Sequence, residues 1–120
     1  MRIVGLQEFL KLPCATLFSK YEPCVFGPLC IKEDSISDVD FFYVQLSDAI
    51  DADDSGDLFD KLDNAVKTGA SLKIDLHVWS RDGMFDKEQL FAIWELEELK
   101  SLSFRVDECI RKLATPQACA

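Results

Sequence analysis

The chain has 120 residues, an apolar fraction of 48% and a formal net charge of −9. That is enough apolar material for one core in a single domain over residues 1–120, and no run approaches the roughly 18 uninterrupted apolar residues of a membrane-spanning helix. The acid excess argues against direct nucleic-acid binding, because phosphates reward clustered Lys and Arg.

The N-terminus, MRIVGLQEFLKLP, is a poor export signal, since Glu8 and Lys11 interrupt its apolar run. Leu6, Phe9, Leu10 and Leu12 recur at helical spacing and predict a short helix over 6–12 that Pro13 ends. ATLFS and VFGPLCIK then read as short strands, with Pro28 at an edge or turn, and FFYVQL (41–46) reads as another.

An acidic loop follows, DADDSGDLFDKLD over residues 51–63, and then a helix. Ser55 or Asp57 is the expected cap, Leu58, Phe59, Leu62 and Val66 the buried stripe, and Gly69 the stop. SLKIDLHVW (71–79) alternates cleanly and predicts a strand with Leu72, Ile74, Leu76 and Val78 facing inward. LFAIW fits a strand pairing back on 72–79, or a helix start capped by Asp86; the short aromatic-rich run favours the strand. From Glu95 or Leu96 the period is helical, with Leu99, Leu102, Val106, Cys109, Ile110 and Leu113 in one stripe, until Pro116. Residues 114–120 read as a frayed tail. The order predicts an α+β fold: a small, largely antiparallel sheet, two main helices and a short N-terminal helix.

Cys14, Cys24, Cys30, Cys109 and Cys119 form an odd set without framework or C-x-x-C spacing, so they read as reduced thiols in a cytosol. His77 alternates onto an exposed face, and no nucleophile elbow, phosphate-binding loop or dinucleotide fingerprint is present. No catalytic residue and no cofactor is expected. A calcium loop counted from Asp51 places Asp53, Ser55 and Gly56 in register, yet its twelfth position is Leu62 rather than Glu. The loop around Asp82 and Asp86 fails in the opposite way, with Val78 in first position. Turn and cap chemistry accounts for both, and no metal ligand is assigned.

The charge imbalance lies in one segment: residues 33–63 hold eleven of the 22 acids and a single base, Lys61. Asp51, Asp53, Asp54, Asp57, Asp60 and Asp63 are the candidate partner-binding residues, a row of carboxylates able to occupy a groove built for phosphates. The plain reading is a solvated face. The alternatives are binding through Tyr21, Phe26 or Trp79, with charge serving solubility, and a calcium-binding module.

EFLKLPCATLFSKYEPCVFGPLCIK, DFFYVQL and RDGMFDKEQLFAIWE resemble segments of small acidic proteins encoded by tailed bacteriophages. Cys14 departs from the pattern, standing where those turns carry glycine. The resemblance implies a protein of the host bacterial cytosol that binds and disables host machinery, and the charge segregation adds a basic surface on that partner. A nucleic-acid-binding effector of bacterial immunity, of CRISPR type, is the expected target. It assigns no functional residue and no oligomeric state.

Overall fold

A computed structural model describes residues 1–83 and 86–115. The fold is α+β. In chain order the elements are β1 (Arg2–Gly5), α1 (Leu6–Leu10), β2 (Thr16–Glu22), β3 (Val25–Phe26), β4 (Cys30–Ser35), β5 (Phe41–Gln45), α2 (Ser55–Thr68), β6 (Ser80–Arg81), β7 (Leu90–Ile93) and α3 (Leu96–Ala114). The strands form one sheet in the order β1-β7-β2-β4-β5-β6, with β3 hairpinned onto β2, and every pairing is antiparallel.

Register explains the core. Phe18 lies opposite both Ile93 and Cys30, and Phe91 lies opposite both Val4 and Lys20, so these side chains share one face. α1 covers that face. Its Phe9 is fully buried, stacked on Phe91 with ring centroids 3.9 Å apart and meeting Phe18 and Phe41 edge-on at 4.7 and 4.9 Å. Stacked and T-shaped pairs add about 0.5–1.5 kcal/mol each beyond area burial, so this cluster is the centre of stability.

Two charged side chains are buried beside it. Lys32 is 1% exposed; its Nζ donates to the carbonyls of Leu12 (3.1 Å) and Glu33 (3.0 Å) and sits 5.8 Å from the Phe9 ring. Burial pushes its pKa below the usual lysine value. Asp40, at the start of β5, is fully buried and ion-paired with Arg81 of β6. Its Oδ1 accepts the backbone N–H groups of Phe41 and Gly83, both at 2.9 Å. Burial alone would raise its pKa. The Gly83 N–H, the Arg81 guanidinium and the Phe41 N–H outweigh it and hold the carboxyl below the ordinary range. Asp40 therefore belongs to the scaffold, although it falls in the acidic segment.

Several expectations are corrected. Residues 71–79 do not form a strand: Ile74 makes a single bridge to Ile50, and Ile74, Leu76 and Val78 are exposed. Alternation supplies a face but not a partner. The position beside β5 is taken by the two residues of β6, where the chain is anchored by Arg81 on Asp40. LFAI, residues 90–93 of LFAIW, is a strand, as its composition suggests, but it inserts between β1 and β2 rather than pairing with 72–79. β1 is an added strand, too short to show a period and stabilised by β7 far along the chain. The tail beyond Thr115, together with Met84 and Phe85, lies outside the described residues.

The main helices depart most from expectation. The predicted stripe of α2 is not buried: Phe59 is 70% and Val66 85% exposed. α3 has no buried residue. The radius of gyration is 16.9 Å, against about 13–14 Å for a compact chain of this length. The sheet and α1 close a core of their own, and the apolar faces of both long helices remain largely uncovered.

Candidate partner-binding surface

The acidic loop is built by its own backbone. Asp51 N–H donates to the Lys73 carbonyl and Asp75 N–H to the Ala49 carbonyl, each at 2.8 Å, which clamps 49–51 against 73–75. The chain then enters α2 through a reciprocal cap. Asp54, not Ser55 or Asp57, is the N-cap; its Oδ1 accepts the Asp57 N–H at 2.7 Å, and Asp57 Oδ2 accepts the Asp53 N–H at 2.9 Å. At the other end Gly69 adopts φ +72 and closes the helix onto the Ala65 carbonyl, a conformation that disfavours other residues.

The six candidate aspartates divide into two kinds. Lys61 sits 3.0 Å from Asp57 and donates to the Asp51 carbonyl at 2.9 Å. The Asp53 N–H and then Lys61 hold the Asp57 carboxyl below its ordinary pKa, and Asp57 in turn raises Lys61. Lys67 pairs with Asp63 at 2.8 Å and Lys73 reaches Asp51 at 3.5 Å. Asp51, Asp54, Asp57 and Asp63 are thus all engaged within the chain, whereas Asp53 and Asp60 carry no ion pair among the described residues. The exposed i,i+4 pairs contribute only about 0.3–0.5 kcal/mol each, so a stronger partner can displace them.

On α2, Asp57, Asp60 and Asp63 follow one side of the helix, and Leu58, Phe59, Leu62 and Val66 the other. Asp63 borders the apolar side, four residues from Phe59 and three from Val66. Sequence reasoning identified these residues but took the apolar ones for core. Ile74, Leu76, Val78 and Trp79 add further exposed apolar surface in the segment clamped to the loop.

The aromatic candidates are placed separately. Tyr21 is half-buried with its ring 5.2 Å from Phe26, itself 57% exposed, on the β2–β3 hairpin. Trp79 packs 5.9 Å from Phe42. Cys14, Cys24 and Cys109 are exposed free thiols, while burial pushes the Cys30 thiol up to about 11, leaving little thiolate at neutral pH. His77 is exposed, its N–H held by Asp75. Among the described residues no cluster of His, Cys, Asp and Glu is arranged to hold a metal ion, and no helix is long and apolar enough to cross a membrane.

Comparison with protein-family models, curated proteins and solved structures gave no match to this chain.

Proposed function

We propose that this chain is a protein-binding module whose contact is α2 with the acidic loop before it, and that the partner is a host protein with a basic surface. The observation that carries the reading is the uncovered row Phe59, Leu62 and Val66, bordered by Asp63, on a helix where Asp60, and Asp53 just before its cap, carry no ion pair among the described residues. An exposed apolar row rimmed by polar groups marks an interaction site. Carboxylates beside it speed encounter with a basic partner and select against an acidic one. The apolar row anchors the complex.

The resemblance to small tailed-phage proteins supports a more specific version. The partner is then a nucleic-acid-binding effector of bacterial immunity, and occupation of its Lys- and Arg-lined track by α2 inhibits it. Four aspartates engaged within the chain favour a second reading, in which apolar contacts dominate and the charge chiefly maintains solubility.

The test is a tagged pull-down from bacterial lysate at low and high salt, followed by titration of the captured protein with variants. Asp53→Lys with Asp60→Lys is expected to weaken binding about tenfold or more at low salt, with the difference shrinking at high salt. Phe59→Ala should weaken binding in both buffers. An effect of Phe59→Ala without one from the lysines would select the apolar reading. Unchanged affinity for both variants would remove α2 as the contact.

A further inference from the structure

α3 carries an apolar seam that the fold leaves mostly uncovered. Leu99, Leu102, Val106, Cys109 and Leu113 are spaced 3, 4, 3 and 4 residues apart, the a and d positions of a heptad. Leu113 is 83% and Val106 48% exposed, Cys109 is exposed, and Leu99 and Leu102 are half-buried. The two edges of this seam differ. One carries Leu96, Ser103 and Ile110, with Leu96 and Ile110 about 60% exposed. The other carries Glu98, Arg105 and Lys112, one charge per heptad.

We propose that α3 is the interface of a homodimer, in which two copies of the helix pair antiparallel about a two-fold axis level with Phe104. The edges decide the orientation. In a parallel pair each edge faces the other kind, so Arg105 would lie against Ile110 of the second copy. In an antiparallel pair each edge faces its own kind. Leu96 then meets Ile110 of the second copy, and Glu98, which also holds the Met1 N-terminus of its own chain, meets its Lys112, each contact occurring twice by symmetry. Charge and coverage together set the register. Sliding the pair one heptad toward the C-termini sets Arg105 against Lys112 twice, which is repulsive; sliding it one heptad toward the N-termini sets Glu98 against Arg105 twice but leaves Val106, Cys109 and Leu113 beyond the end of the partner helix. With the axis at Phe104 only the two Arg105 side chains approach one another, and each has Glu108 of its own chain at 3.4 Å. The core layers are then Leu99 with Cys109 and Leu102 with Val106.

Light scattering at high micromolar concentration should give twice the 13.6 kDa chain mass. Val106→Glu should give the single-chain mass with an unchanged far-UV circular dichroism spectrum, since Val106 lies outside the core cluster. Lys112→Glu, on the surface, should weaken the dimer about tenfold at low salt and much less at high salt. Orientation is read by a short bifunctional maleimide, with Cys14, Cys24 and Cys119 changed to Ser. Ser103→Cys with Cys109→Ala should cross-link between copies, whereas Cys109 on its own should not. A single-chain mass for the unaltered protein, or a dimer that survives Val106→Glu, would overturn the proposal. Cross-linking through Cys109, or its absence at Ser103→Cys, would overturn the antiparallel pairing.

Discussion

Asp40 offers the sharpest test of how this chain separates structural from surface carboxylates. Asp40→Ala removes the acceptor for three donors: the Phe41 N–H, the Gly83 N–H and the Arg81 guanidinium. The Phe41 bond is buried, and an orphaned amide there costs about 1–3 kcal/mol; the partly buried Gly83 amide adds about 1. Arg81 is 59% exposed and finds water, so its share is at most about 1 kcal/mol. The total is about 2–5 kcal/mol, a fall in Tm of about 8–20 °C for a chain of this length. Asp40→Asn keeps an oxygen for the two amides and should lose only about 1 kcal/mol. The pH dependence follows from the depressed folded pKa. Asp40 contributes stability above its ordinary value of 3.8, and that contribution disappears as pH falls through the lower folded value. Urea unfolding from pH 7 down to about 2 should therefore show a shallower acid limb for Asp40→Asn than for the unaltered protein. A Tm loss below about 3 °C for Asp40→Ala would refute the reasoning, as would identical acid limbs.

Phe9→Ala, which empties the centre of the aromatic cluster, should cost about 3–5 kcal/mol, measured by chemical denaturation with two probes. Phe59→Ala, by contrast, should change stability by less than about 0.5 kcal/mol, because its ring is 70% exposed; a larger loss would mean that α2 packs on the sheet. Cys24 holds φ +65 as the second residue of the Pro23–Cys24 turn, so Cys24→Gly should stabilise by a few tenths to about 1 kcal/mol in thermal melts.

Local signals were legible where chemistry acts over a few residues. The short apolar period ended by Pro13 marks α1, Gly69 marks the end of α2, and the aromatic-rich run LFAIW marks β7. The acidic segment and its six aspartates were visible as composition, and so was the α+β class. The cap was missed by one residue, since Asp54, Ser55 and Asp57 are all competent acceptors and only backbone geometry selects among them.

Decisions that depend on remote partners were not legible. Residues 71–79 alternate as well as any strand in the chain, yet β6 holds the edge of β5 through an ion pair between residues 41 positions apart. The apolar stripes of α2 and α3 read as core because periodicity reports that a face is apolar, not what covers it. The sequence by itself determined the helices, the central strands, the charge segregation and the amphipathic faces, all set by neighbours within a few turns. Only the tertiary structure decided which apolar face was spent on the core. Phe9 and three strand phenylalanines close that core without the long helices, so the faces of α2 and α3 stay open to other molecules.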